Sequence, residues 1–217
     1  MTNQKVLVLG DYTNFQYHPF APFAQVLEEL LSDRGLALKF TEDRNELEIK
    51  NLSQYDALIT YDESWDQFLP PTQMQSLLDF TASGKRIFGI HCGISYANPE
   101  YYQLFGAQFI GHPPFQEISV KISREDHPLI RGLVDFQIED ELYMFKFAEF
   151  SQLKVLMEGE FEGKEYPLAW EKPAGAGALL DLALGHDHRV FGNKMFQTAL
   201  LNGALWATQR WIMNSEQ

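Results

Sequence analysis

The chain reads as an α/β protein with a mainly parallel central sheet and a later set of antiparallel strands. Three observations predict this. Short apolar runs at 5–10 (KVLVLG), 55–61 (YDALITY) and Arg86–Ile90 end in glycine, an acidic loop or a histidine, as parallel strands buried on both faces do. Helical patterns alternate with them in the order strand, helix, strand, strand, helix, strand, for which crossover helices are the economical connection. From Gln116 the texture changes to alternation, with Ile118, Val120 and Ile122 on one side, the mark of extra antiparallel strands.

The elements follow in order. Strand 5–10 leads into a polar loop. Phe23, Val26, Leu27, Leu30 and Leu31 then recur at helical spacing, and Gly35 stops that helix. Residues 36–40 form a second strand and 55–61 a third. Residues 71–83 are a helix that buries Met74, Leu77, Leu78 and Phe80 and closes at Gly84. Strand Arg86–Ile90 follows. Beyond Gln116–Ile122, further strands fall at 136–138, 153–157, 167–171 and 179–184. The stretch Ala174-Gly175-Ala176-Gly177-Ala178 between the last two is a hairpin turn rather than a phosphate cradle. The first loop, Gly10-Asp11-Tyr12-Thr13-Asn14, lacks the dinucleotide fingerprint, and no P-loop occurs. A terminal helix over 193–213 carries the stripe Phe196, Ala199, Leu200, Gly203, Ala204, Trp206 and Ala207. No repeat or domain break is visible, so residues 1–217 read as a single domain.

Composition narrows the function. With 17 Lys plus Arg against 30 Asp plus Glu, the formal charge is −13, which argues against nucleic acid and against an anionic membrane surface. No run reaches transmembrane length and strand 5–10 begins without a secretory segment, so a cytoplasmic protein is expected. One cysteine excludes an intrachain disulfide and a Cys-rich zinc pattern.

The chemistry concentrates after strand Arg86–Ile90, in Gly89-Ile90-His91-Cys92-Gly93. A tight strand-to-helix turn there lifts its middle residue clear of the sheet, and that residue is an imidazole. His91 and His186 each end an apolar run, and ligands of open α/β sheets bind at the carboxyl ends of strands. His112 lies in Gly111-His112-Pro113-Pro114. These three histidines are the expected metal or substrate ligands, for zinc or a similar divalent ion, with Asp140 or Glu141 as the accompanying carboxylate. His18 and His127 read as structural, and His188 as exposed or outlying. Cys92, next to the lifted position, reads as a small buried hydrophobe.

These pieces together resemble the trehalose-utilisation (ThuA-like) family of the class I glutamine amidotransferase-like superfamily. The resemblance runs through Gly89-Ile90-His91-Cys92-Gly93, residues 101–107 (YYQLFGA), 109–114 (FIGHPP), 126–133 (DHPLIRGL), Asp140-Glu141-Leu142-Tyr143, Pro167-Leu168-Ala169-Trp170, 183–187 (ALGHD) and 200–207 (LNGALWA). It implies a flavodoxin-like three-layer α/β/α sandwich with its crevice near the elbow, and a link to sugar metabolism through disaccharides such as trehalose and 3-keto intermediates. Amidotransferase relatives carry Gly-x-Cys-x-Gly at the elbow; here the middle position is His91, so Cys92 is off the nucleophile register. The family's Tyr-Gly-x-Gly-Arg is replaced by residues 173–178 (PAGAGA), without the arginine.

The expected function is therefore an enzyme acting on a sugar or 3-keto-sugar, a hydrolase or lyase rather than a glutaminase. His91, His186, Glu141 and Asp140 would be catalytic, and His112, Tyr102, Tyr143 and Trp170 would bind substrate, the aromatics stacking on a sugar face. A non-catalytic sugar-binding or regulatory module, and a cysteine hydrolase or amidotransferase using Cys92, are the alternatives. Phe105, Phe109 and Phe115 either line the cleft or pack across a homodimer interface.

Overall fold

The structure, a computed structural model, describes residues 3–149 and 152–210. Strands β1 (Gln4–Gly10), β2 (Leu36–Thr41), β3 (Ala57–Tyr61) and β4 (Arg86–Ile90) alternate with helices α1 (Phe20–Leu31), α2 (Ile49–Leu52) and α3 (Pro71–Ala82). Helix α4 (Pro99–Phe105), β5 (Ala107–Gly111), β6 (Gln116–Ile122), β7 (Phe136–Asp140) and β8 (Met144–Phe147) follow. The chain continues through β9 (Lys154–Phe161), β10 (Lys164–Ala174), β11 (Gly177–Leu182), α5 (His188–Phe191) and α6 (Lys194–Ala207).

Nine strands form one sheet in the order β2-β1-β3-β4-β11-β10-β9-β6-β7, while β5 and β8 pair as a separate ribbon. The five strands from β2 to β11 are parallel and the remaining four pairings are antiparallel. Helices α1, α5 and α6 pack together on one face, and α2, α3 and α4 on the other. The result is a three-layer α/β/α sandwich with the flavodoxin-like order across its parallel half.

Local sequence explains the frame. β3 is buried at every position, as a continuous apolar run in a central parallel strand requires. In α1 the buried side chains are Phe20, Phe23, Ala24, Leu27 and Leu31, a single stripe at helical spacing that faces the sheet. α3 begins with Pro71, whose missing N–H costs nothing in a first turn. Asn193 caps α6 by accepting the Met195 and Phe196 amides at 2.9 and 3.2 Å. The terminal helix, expected to reach 213, ends at Ala207, and Gln209 turns left-handed at φ +58; residues beyond 210 lie outside the described ones. The Ala174–Ala178 stretch is a hairpin: Ala174 pairs with Gly177, and Gly175 sits at φ +62 in a two-residue turn.

Two parts were not anticipated. α4 and β5 occupy 99–111 and β8 occupies Met144–Phe147, on either side of the anticipated β6 and β7, in stretches too short and irregular in pattern to declare themselves. The antiparallel half also curls back. Asp140, at the end of the far-edge strand β7, accepts hydrogen bonds from the amides of Gly185 and His186, just past β11. The end of β7 is thereby brought over the carboxyl ends of the parallel strands.

A candidate metal centre at the strand ends

β1 leads into the loop that carries His18, β3 into Glu63, β4 into His91, β7 into Glu141 and β11 into His186. The parallel strands all point one way, so these loops crowd one edge of the sheet, around the β1/β3 point where strand order reverses. One donor atom from each of His18, His91, Glu141 and His186 lies within 4.8 Å of the others.

His91 is held most firmly. It sits at φ +47, a left-handed conformation rare outside glycine, and opens the short 3-10 turn His91–Ile94. Gly93 makes this turn possible, because a Cβ there would stand 2.2 Å from the Thr60 carbonyl oxygen on β3. The ring is fully buried and stacks on Tyr143 with centroids 4.0 Å apart. Nδ1–H donates to the Ala183 carbonyl at 2.7 Å, which fixes the tautomer and leaves the Nε2 lone pair facing the cluster. Burial pushes the imidazole down to about 3, so it is neutral and able to ligate.

His18 completes what the sequence reading missed. Its ring is 2% exposed. Nε2–H donates to His91 Nε2 at 3.1 Å, and Glu63 Oε2 lies 3.3 Å from Nδ1. Burial opposes a charge on this ring, but Cys92, Glu141 and Glu63 outweigh it and raise its pKa. Burial also raises the Cys92 thiol and keeps it neutral, so the two carboxylates are the charges that hold the imidazolium. Glu63 in turn accepts the amides of Gln16, Tyr17 and His18 at 3.1, 3.0 and 2.9 Å, and pins the whole loop. A carboxylate behind a histidine is the usual support of a metal-binding imidazole.

Glu141 Oε2 stands among the three rings, 3.2 Å from His186 Nδ1, 3.6 Å from His91 Nε2 and 4.0 Å from His18 Nε2. Burial alone would raise this carboxyl; the close approach of the His18, His186 and His91 rings instead holds it far below the usual range. His186 Nδ1 is buried without a hydrogen-bond partner among the described residues. Zinc–nitrogen and zinc–oxygen bonds of about 2.0–2.1 Å imply ligand–ligand edges of about 3.3–3.4 Å in a tetrahedron. Four of the six donor–donor distances, 3.1–4.0 Å, bracket that value, so the cluster can chelate a divalent cation that displaces the proton on His18 Nε2.

The other expected site residues are placed as follows. His112 is outside the four-atom cluster: its ring is 35% exposed at the mouth, with Nε2 3.7 Å from Glu141 Oε1. His18, expected to be structural, stands in the cluster where His112 was expected. Asp140 does not face the cavity. It is fully buried, and its oxygens accept the amides of Glu141, Gly185 and His186, so it positions His186 rather than moving protons. Burial nevertheless pushes its carboxyl up to about 7, against those three hydrogen bonds. Tyr143 lines the cavity beside the cluster. Trp170 does not stack on a ligand: it is 1% exposed and its indole N–H donates to the Phe105 carbonyl at 3.0 Å, in the core. Tyr102 lines a neighbouring cavity. Cys92 is buried and its thiol donates to the Tyr61 carbonyl at 3.3 Å. His127 is structural as expected, accepting the Leu129 amide on Nδ1 and facing Glu171 from Nε2 at 2.5 Å.

A signal for His18 was present in the sequence: it lies in the loop after the first parallel strand, at the same sheet edge as His91 and His186. It lacks the flanking glycine that drew attention to the others.

Fold and cluster together define a flavodoxin-like α/β protein with a histidine–carboxylate cluster, capable of chelating a divalent cation, at the carboxyl ends of its strands. Residues 5–207 match the ThuA family, described as trehalose utilisation, and the chain belongs to that family. Among solved structures, a ThuA-like protein of Parabacteroides merdae is 17% identical with a TM-score of 0.75, covering 97% of this chain and 91% of its own. One of Bacteroides uniformis is 16% identical with a TM-score of 0.74, covering 95% and 91%. A β-galactosidase of Rahnella sp. R3 is 12% identical with a TM-score of 0.67, and there the likeness covers 96% of this chain but 32% of that one. At these identities the likenesses show the fold. No curated protein matches the sequence. No helix among the described residues is long and apolar enough to cross a membrane.

Proposed function

We propose that the protein is a metal-assisted enzyme of sugar metabolism, acting on a 3-keto-sugar, with a disaccharide such as 3-keto-trehalose as the test substrate. The observation that carries this is the convergence of His18, His91, Glu141 and His186 at the strand ends. The family's link to trehalose utilisation supports the substrate class.

His18, His91, Glu141 and His186 would hold a divalent cation, which when bound would supply Lewis acidity beside the ketone. The chain's own groups do the rest. His112 donates Nδ1–H to the Pro113 carbonyl at 2.8 Å, which leaves its Nε2 lone pair at the mouth of the cavity. That nitrogen accepts the C2 proton of a 3-keto ring. The C–H electron pair forms the C1–C2 double bond as the C1–O bond breaks, and the departing oxygen takes the proton back from His112. Addition of water would complete hydrolysis. Glu141 remains ionised throughout, Asp140 fixes the His186 turn, and Tyr143 shields the His91 ring.

The test is turnover of 3-keto-trehalose by zinc-loaded and chelator-stripped protein. Turnover by the loaded form alone, lost on His91→Ala, is expected. Absence of turnover in both forms would contradict the reading.

A further inference from the structure

The cavity over the metal cluster, about 440 Å³, has Trp65, Phe109 and Tyr143 in its lining. A second cavity of about 450 Å³ is lined by Trp65 and Phe109 again, together with Asp66, Tyr96, Tyr102 and Gln108. The two are therefore neighbours divided by one aromatic pair, whose ring centroids are 4.8 Å apart.

That wall is fixed rather than swinging. The Trp65 indole N–H donates to Glu63 Oε1 at 3.1 Å, while the other oxygen of the same carboxylate holds the His18 loop. Phe109 packs on Tyr143 at 4.4 Å, and Tyr143 stacks on His91. The side chains that set the histidine cluster thus also set the partition.

Within the second cavity some polar groups are already engaged. Ser95 Oγ–H donates to the Asp62 carbonyl, and the Asn98 amide bonds both the N–H and the carbonyl of Leu69. The Tyr102 hydroxyl, the Gln108 amide and the Asp66 carboxylate have no hydrogen-bond partner among the described residues. Aromatic faces with free donors and acceptors around them match a pyranose ring, which is apolar on its faces and hydroxylated at its rim. The Asp66 carboxylate, with no cation among the lining residues, disfavours a phosphorylated ligand.

We propose that the second cavity is the subsite for the second ring of a two-ring sugar whose reacting ring occupies the histidine cavity, draped over the Trp65–Phe109 wall. The proposal rests on the sugar reading above and adds the place of the second ring and the side chains that select it. Trp65, Tyr102 and Gln108 become its specificity determinants.

Methyl α-glucoside and trehalose share one ring, differ in the second, and lack the ketone, so neither reacts. Calorimetric titration of the zinc-loaded protein should give trehalose an affinity about tenfold higher. Ala97→Trp, which fills the second cavity, should abolish that advantage while methyl α-glucoside affinity stays within about twofold. If that variant does not fold, Tyr102→Phe combined with Gln108→Ala should reduce the trehalose advantage in the same selective way. Equal affinities in the wild type, or variants that weaken both sugars alike, would overturn the subsite and leave the sugar reading standing. Failure of both sugars to bind the wild type would remove the sugar reading and the subsite with it.

Discussion

Glu63→Gln tests the support of the proposed metal site without replacing any of the four cluster residues. Its carboxyl is held down to about 2: burial works against ionisation, but His18 and the amides of Tyr17 and His18 prevail. The side chain is therefore fully charged near neutral pH. Its oxygens accept three amides of the Gln16–His18 segment, the Trp65 indole N–H, and the approach of His18 Nδ1 at 3.3 Å. An amide keeps the size but turns one of these acceptors into a donor, facing other donors, and removes the charge behind His18. Loss of such support costs a metal site about 10–100-fold in affinity, or about 1.4–2.8 kcal/mol. Competition titration of zinc against a chromogenic chelator at pH 7 reads this directly. A dissociation constant within twofold of the wild type, in a variant with unchanged helicity, would refute the claim that Glu63 orients His18 as a ligand.

Other substitutions probe the frame and the rejected chemistry. Gly93→Ala forces a methyl group to within 2.2 Å of the Thr60 carbonyl oxygen, so urea unfolding should show a loss of about 2–3 kcal/mol; a neutral effect would mean that the elbow is not packed on β3. Asp181 is wholly buried with both carboxylate oxygens unpartnered among the described residues, and burial raises its carboxyl well above the ordinary value. A carboxyl raised in the folded state contributes stability that is full below the unfolded pKa of about 3.9 and is lost as pH rises through the folded value. Asp181→Asn should therefore gain on the wild type by about 1.4 kcal/mol per pH unit in that window; a difference flat between pH 5 and 8 would contradict the assignment. Cys92, buried and neutral, should resist iodoacetamide at pH 7 until the protein unfolds, and Cys92→Ser should keep its turnover. Rapid labelling with parallel loss of activity would revive the thiol reading.

The parallel half of the fold was legible because its strands are apolar end to end and its helices carry clean stripes. β3 and α1 follow from periodicity alone. The elbow histidine and the strand-end position of His186 were legible for the same reason, since each closes an apolar run. Glu141 could be named but not placed. Its strand, β7, lies at the far edge of the sheet, and only the hydrogen bonds of Asp140 to the 185–186 turn bring it over the site. His18 was hidden because an irregular loop gives no periodic signal, and its burial depends on Glu63, 45 positions away. Trp170 misled in the opposite direction: an aromatic near the site in sequence proved to satisfy a core carbonyl.

The central claim is that His18, His91, Glu141 and His186 hold one divalent ion. A crystal grown with zinc, measured on both sides of the zinc absorption edge, tests it most directly. The account predicts one anomalous peak about 2.0–2.2 Å from a donor atom of each of the four residues, and its disappearance in His91→Ala. A map with no peak there, or with zinc bound elsewhere while the four side chains remain in place, would contradict it.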